Sequence, residues 1–425
     1  MQPKLVEKGL VRKEDSDDCA VLKEDVMEEG RGHSPSSTSC PKAAKEKRVT
    51  IRFHIKNFSV VIKQKKRGWR RKKKEEPAVT KKVILENVAG VVEPKQLLAI
   101  MGPSGAGKTT VLNCLSGRTR AFDGYVTFNG VAVEPDVAAA ASAYVQQEDL
   151  FIPTLTPREH LIFHATMRMG AGASAAERTA TVDRIIADLG LGKCQDTLIG
   201  GQGSIIRGIS GGEKKRLSFA TEILADPAVL FVDEPTSGLD SYMAASVVKI
   251  LAAMAAAGRT IVATVHQPSS DVFALFTHLH LLADGRTSYF GPLGAAVGHF
   301  ADLGHPCPIH YNPADFFIAL LSKDPQASAE SQARVLAVAS AFPDSPAGRA
   351  VAAALAAAAA AGGGDGSSAD EAGGGGARSG GVDADGGWLH CTAHHHYQYR
   401  ASWLVQLLEL YSRTLITYKR EPVLT

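Results

Sequence analysis

The chain has 425 residues and is 45% hydrophobic, which is ample for a large core and corresponds to two or three domains' worth of length. Its formal net charge of +3 excludes a global field of the kind that marks nucleic-acid or membrane-surface binders, and basic charge gathers only locally, between Lys63 and Lys74. Six cysteines without paired short spacing fit free thiols in a reducing compartment, no signal peptide follows Met1, and the alanine-rich run from Ala350 to Ala361 falls short of the roughly 20 apolar residues of a membrane helix.

Residues 1–45 alternate acids and bases and run into His33-Ser34-Pro35-Ser36-Ser37, so they read as a disordered tail. The alternation in Thr50-Ile51-Arg52-Phe53-His54-Ile55 predicts a strand, and a basic loop separates it from a second strand at Val83-Ile84-Leu85. Gln96 to Met101 is a short apolar run that enters a glycine-rich turn, and a helix is predicted from Lys108. Gly124 to Gly130 reads as a strand closing in an Asn129-Gly130 turn, a hairpin signal. Arg158 to Leu191 is mostly helical, and Val229-Leu230-Phe231-Val232 and Thr260 to Val265 are compact enough to be buried parallel strands. Together these segments predict an α/β domain over 46–322 with a central sheet and a helical insertion. Residues 323–388 read as a linker, and its low-complexity segment, about 345 to 387, is alanine- and then glycine-rich and helical at most in its alanine part. In the last segment, 389–425, Trp403, Leu404, Leu407, Leu408, Tyr411, Leu415 and Tyr418 recur at helical spacing and predict an amphipathic helix ending before Pro422.

The run Gly102-Pro103-Ser104-Gly105-Ala106-Gly107-Lys108-Thr109 matches G-x-x-x-x-G-K-[ST], with a predicted strand before it and a helix after it. Glycines let backbone N–H groups approach phosphates, and the helix N-terminus favours negative charge. Lys108 is placed to reach the β- and γ-phosphates and the Thr109 hydroxyl to bind Mg²⁺, with Thr110 beside it among the nucleotide-binding residues. Downstream, the apolar strand Val229 to Val232 ends in Asp233 and Glu234. Asp233 suits the magnesium shell, through water, and Glu234 suits orienting an attacking water. By itself such a pair could simply cap the next helix; behind a phosphate loop it gains meaning.

Four further motifs carry a resemblance to the ATP-binding cassette proteins. Ile209-Ser210-Gly211-Gly212-Glu213 is similar to their signature loop, with Ile where Leu is usual. Gln147, in Tyr144-Val145-Gln146-Gln147-Glu148-Asp149, resembles the Q-loop glutamine. Ser237-Gly238-Leu239-Asp240 and His266 resemble the D-loop and the switch histidine. The likeness covers about residues 49 to 321, in the family's motif order. It implies a P-loop NTPase with a RecA-like core, an antiparallel β subdomain and a helical subdomain. It also implies ATP and Mg²⁺ as ligands, with Thr109, Gln147 and Asp233 at the metal, and Glu234, His266, Gln147 and Lys108 as the hydrolytic group. Two chains are expected to pack head to tail, Lys108 and Thr109 of one facing Ser210 and Gly212 of the partner subunit, with Gly211 and Asp240 at the same junction.

Finer segments, Tyr144 to Ile152, Arg158-Glu159-His160-Leu161-Ile162-Phe163 and Asn312-Pro313-Ala314-Asp315-Phe316-Phe317, resemble the G subfamily and within it the White-type half-transporters. That likeness implies that Trp403 to Tyr418 is the helix connecting the cassette to a membrane domain beyond this chain. The expected partner is a second half-transporter, identical or different, with the cassette on the cytosolic side of a plasma or granule membrane. Rival readings are a truncated form acting through a partner and a cassette working outside transport. Ile62 stands about where many cassettes carry an aromatic residue for adenine. The basic run Lys63 to Lys74 reads first as a solvated loop and next as a contact for anionic lipid, with nucleic acid not favoured. The cluster His390-Cys391-Thr392-Ala393-His394-His395-His396 has metal-ligand residue types in a flexible setting and reads as no native site. Cys114 reads as core packing.

Overall fold

A computed structural model describes residues 48–63, 79–147, 150–169, 173–201, 208–324, 328–361 and 401–420. The expected tail, the basic run beyond Lys63, and the cluster from His390 to His396 lie outside the described residues. The first half runs β1 (Ile51–Lys63), β2 (Val79–Val92), β3 (Leu97–Met101), α1 (Lys108–Leu115), β4 (Phe122–Phe128), β5 (Val131–Ala132), α2 (Pro135–Ala141) and β6 (Ser142–Val145). Helices α3 (Pro157–Arg168), α4 (Ala175–Asp188) and α5 (Gly211–Ile223) follow, then β7 (Val229–Asp233), α6 (Ser241–Ala256) and β8 (Thr260–Thr264). The chain continues through α7 (Ser270–Phe273), β9 (His278–Ala283), β10 (Arg286–Pro292), α8 (Ala296–Asp302), α9 (Pro313–Leu321), α10 (Ser328–Ala341), α11 (Pro346–Ala361) and α12 (Trp403–Arg420).

Two sheets organise these elements. The larger has the order β10-β9-β3-β8-β7-β6, parallel except for the antiparallel β9–β10 pair. Every residue of β3, β7 and β8 is buried, as expected of parallel strands covered on both faces. The smaller sheet is antiparallel, in the order β2-β1-β4-β5, and turns at Asn129-Gly130, both with positive φ. One core fills the gap between the sheets, where Phe128 of β4 stacks on Phe231 of β7 and Phe53 of β1 meets Phe290 of β10 edge-on. A second core covers the opposite face with α3 to α6, α8 and α9. Cys114 is buried in the first core, and burial pushes its thiol up to about 12, so it behaves as a small apolar residue.

Helices α3, α4 and α5 all begin with a capping box, Thr156/Glu159, Ser174/Glu177 and Ser210/Glu213, in which the hydroxyl accepts the glutamate's N–H and the glutamate accepts the cap's N–H. These caps fix where each helix starts relative to the loop before it, which matters at Ser210.

Within the segment expected as a linker, the alanine part is helical, as allowed for, and a further helix precedes it. Residues 328–361 form α10 and α11, packed against β10, and α11 also meets β2. Val335, Val338, Ala339 and Phe342 are buried, with Phe342 edge-on to His299. Their spacing gives a helix one apolar face, which the surrounding alanine and glycine bias conceals from composition-based reading. No helix among the described residues is long and apolar enough to cross a membrane.

Candidate functional site

The loop from Gly102 to Lys108 leaves the C-terminal end of β3, and α1 opens directly behind it. Gly102 has φ +152, and a Cβ there would lie 2.1 Å from the carbonyl oxygen of Leu282. Gly107, the N-cap of α1, has φ +100, and a Cβ would lie 2.6 Å from Leu85. Both positions therefore require glycine. No side chain caps α1, so its first N–H groups are left facing the loop. Pro103 is half-buried, Ser104 and Gly105 are exposed, Ala106 is buried, and Thr109 and Thr110 stand on the first turn. Lys108 Nζ donates to the carbonyl oxygens of Gly102 and Pro103 at 2.9 and 3.1 Å. Burial draws its ammonium below the ordinary value, while Glu234 and Asp233 pull in the other direction.

Asp233, at the end of β7, is buried, and its carboxylate accepts from three hydroxyls. Thr109 lies 3.3 Å from Oδ1, Thr264 lies 2.5 Å from Oδ1, and Tyr144 lies 3.3 Å from Oδ2. Glu234 follows with φ +46 and is half-buried. Gln147 Nε2 donates to Glu234 Oε2 at 2.6 Å, and Lys215 of α5 donates to the Gln147 carbonyl oxygen at 2.5 Å. The structure thus brings together Lys108, Thr109, Gln147, Asp233 and Glu234 from three segments. His266 stands exposed two residues beyond β8.

The remaining predicted residues sit elsewhere. Ser210 is exposed and bonds its own capping partner Glu213, and among the described residues no hydrogen bond joins it to the 102–110 loop. Asp240 is exposed as the N-cap of α6, accepting the Met243 N–H at 2.8 Å. A Cβ on Gly212 would lie 2.1 Å from Met243 Cε, and one on Gly211 would lie 3.5 Å from Leu239, so the starts of α5 and α6 are nested. Sequence reading missed Thr264, Lys215 and the role of Tyr144. The available signal was a hydroxyl residue in an otherwise apolar strand and a lysine on a buried helical face.

The donor set fits a nucleotide with a hard cation. Thr109, Asp233 and the Gln147 amide offer oxygen ligands only, the type that magnesium takes. The glycine cradle that a Cβ would fill, with uncapped N–H groups behind it, suits phosphate oxygens. Among the described residues no group of three or more His, Cys, Asp or Glu forms a metal cluster.

Comparison with known proteins gives the same answer from another direction. Residues 85–237 match the family described as ABC transporter. Residues 266–340 match the family described as ABC-2 type transporter, and here they form α7, β9, β10, α8, α9 and most of α10, in and against the larger sheet. Protein white of Drosophila melanogaster is 43% identical over 316 residues, covering 71% of this chain and 46% of that protein. Protein white of Ceratitis capitata is 40% identical over 349 residues, 81% and 48% respectively. ABC transporter G family member 13 of Arabidopsis thaliana is 47% identical over 246 residues, 57% and 36%. The chain spans slightly under half the length of the white proteins. With the phosphate loop, the paired acids and the glutamine assembled as described, the chain belongs to the ATP-binding cassette transporter family, in the branch that holds the white proteins and the G-family transporters.

Proposed function

We propose that this chain is the ATP-binding and ATP-hydrolysing part of a White-like half-transporter and powers transport through a head-to-tail cassette dimer. The observation that carries the reading is the convergence of Gln147 on Glu234 beside the Thr109–Asp233 contact. Gly102 to Gly107, Thr110 and the N-terminus of α1 cradle the phosphates, and Lys108 turns from the loop carbonyls to the β- and γ-phosphates. Thr109, Gln147 and, through water, Asp233 hold magnesium, which when bound neutralises charge on the phosphate oxygens. With its amide nitrogen on Glu234, Gln147 has its amide oxygen for the cation. Glu234 accepts a hydrogen bond from the attacking water and aligns it with the γ-phosphate, a general-base role. His266 approaches the same phosphate from the end of β8. Ser210, Gly211, Gly212 and Asp240 of the partner subunit close the site from the other side, adding donors where charge develops.

In this reading the larger sheet is the RecA-like core, the smaller sheet the β subdomain, and α3 to α5 the helical subdomain of a cassette over 46–322. Helix α12 is the connecting helix, and its exposed Trp403, Leu404, Leu408 and Tyr411 face a membrane domain, with the cassette on the cytosolic side. The test is steady-state ATPase activity of the purified chain against its concentration, alongside Glu234→Gln. Activity rising more steeply than linearly and falling about a hundredfold or more in the variant is expected. A chain that binds no Mg²⁺–ATP sinks the reading.

A further inference from the structure

Asp233 is held from both sides of its own strand. Strand β7 lies between β6 and β8 in the larger sheet. From β8, Thr264 is the register partner of Asp233 and donates to Oδ1 at 2.5 Å. From β6, the Tyr144 hydroxyl donates to Oδ2 at 3.3 Å. Two donors on separate oxygens fix the plane of a carboxylate that would otherwise rotate at the strand end.

Thr264 has a second task. It is fully buried, and its hydroxyl oxygen accepts the Glu234 N–H at 2.9 Å. That bond secures Glu234 at φ +46, a left-handed conformation that side-chain-bearing residues adopt rarely and only where the surroundings enforce it. Tyr144 is braced in turn, because the Arg118 guanidinium carbon lies 3.6 Å from the centre of its ring. Each hydroxyl also stands just ahead of a motif residue in the chain: Tyr144 precedes Gln147, and Thr264 precedes His266.

We propose that Thr264 and Tyr144 are positioning residues, whose hydroxyls set where the Asp233 and Glu234 carboxylates point toward the cation and the attacking water. The inference rests on the ATPase reading above and goes beyond it by naming the groups that aim the two acids. Groups behind a metal's own ligands orient them, and their loss typically lowers metal affinity or activity 10- to 100-fold. Valine has nearly the shape of threonine and keeps the packing of β8 while removing the hydroxyl, so the two roles separate.

The experiment uses the full chain with Mn²⁺ as probe. Free Mn²⁺ is counted by its electron paramagnetic resonance signal in the presence of ATP, and kcat and KM for ATP are measured separately. Thr264→Val is expected to weaken Mn²⁺ retention and lower kcat, each about tenfold, while metal-free ATP affinity stays within about threefold. Thr264→Ser is expected to recover both to within about threefold, and Tyr144→Phe to lose about threefold, in keeping with its longer bond. A Thr264→Val chain that retains Mn²⁺ and turns over like the unaltered protein overturns the inference. So does Thr264→Ser failing as badly as valine, which would place the role in packing. If Thr264→Val does not fold, Tyr144→Phe decides by the same two readings. An unaltered chain that retains no Mn²⁺ with ATP refutes the reading of the site itself, a result distinct from variants that match a working parent.

Discussion

Arg420, at the end of α12, grips Glu159, in the first turn of α3, through two hydrogen bonds of 2.7 and 2.9 Å. The same glutamate closes the capping box of α3 by accepting the Thr156 N–H at 3.0 Å. Arg420 also donates to the Thr154 carbonyl oxygen, and Arg413 lies 4.6 Å over the Phe163 ring. One acid therefore serves as both helix cap and anchor for a helix 261 residues downstream.

Burial alone would raise the Glu159 carboxyl, but the hydrogen bonds from Arg420 and Thr156 outweigh it and hold the group below its ordinary value. The sign follows: docking of α12 is fully supported above the ordinary carboxylate value and is lost as pH falls through the lower, folded one. Both side chains are about a third exposed, so the pair contributes on the order of 1 kcal/mol. Arg420→Ala is expected to speed amide hydrogen exchange across Trp403 to Arg420 and leave α3 protected. Glu159→Gln is expected to loosen both helices.

Lys215 is buried on α5, with its ammonium on the Gln147 carbonyl oxygen. Lys215→Met keeps the apolar stem and removes the donor, leaving the glutamine loop untied from α5. Turnover is expected to fall about tenfold, with ATP affinity changed far less and Lys215→Arg partly restoring the rate. Equal losses in kcat and in ATP binding would count against a tie specific to Gln147.

Two loop glycines separate strain from collision. Gly102→Ala places a Cβ against the Leu282 carbonyl, so β3 or β9 must move, and nucleotide binding is expected to disappear. Gly105 also has positive φ, +79, but its Cβ would meet nothing within 4 Å. Gly105→Ala is expected to cost only the left-handed penalty of about 1 to 2 kcal/mol. Thermal melts with and without Mg²⁺–ATP distinguish the two.

Three histidines, His160 and His280 buried and His164 half-buried, make the fold acid-sensitive. Burial first, then neighbouring His164, Arg168 and Arg413, draws His160 down to about 3; His164 lies at about 4; and burial alone takes His280 to about 3. As pH drops below 6.5 the unfolded chain takes up protons on these rings that the folded chain refuses until about 4 at His164 and about 3 at His160 and His280. Each ring therefore removes up to about 1.4 kcal/mol of stability per pH unit in that window. Urea midpoints should fall steeply from pH 7 to pH 5, and His280→Leu should reduce the slope by one proton.

The chemistry was more legible in the chain than the architecture around it. Strands β3, β7 and β8 announce themselves because parallel strands buried on both faces are unbroken apolar runs. The phosphate loop and Asp233-Glu234 stand at their ends, so the catalytic edge could be read before any sheet order was known. Thr264 and Tyr144 could not, because their meeting at Asp233 depends on β7 lying between β6 and β8, and no local pattern encodes that order. Helix α10 was hidden for a different reason. Val335 and Val338 are buried in one core and Phe342, just past the helix, in the other, within a stretch whose small-residue bias imitates a linker, and only packing against β10 reveals it.

The nesting of Gly212 against Met243 has a consequence for two copies working together. It fuses the start of α5, which carries Ser210, to the start of α6, which carries Asp240, and nothing bulkier than hydrogen fits between them without displacing Met243. In the proposed dimer these are the surfaces one chain lends to its neighbour's nucleotide. A displacement of the start of α5 is then passed to the start of α6 through Met243. In that arrangement a bulky residue at position 212 would strike twice, displacing Met243 at the α5–α6 junction and narrowing the surface lent to the neighbour's nucleotide.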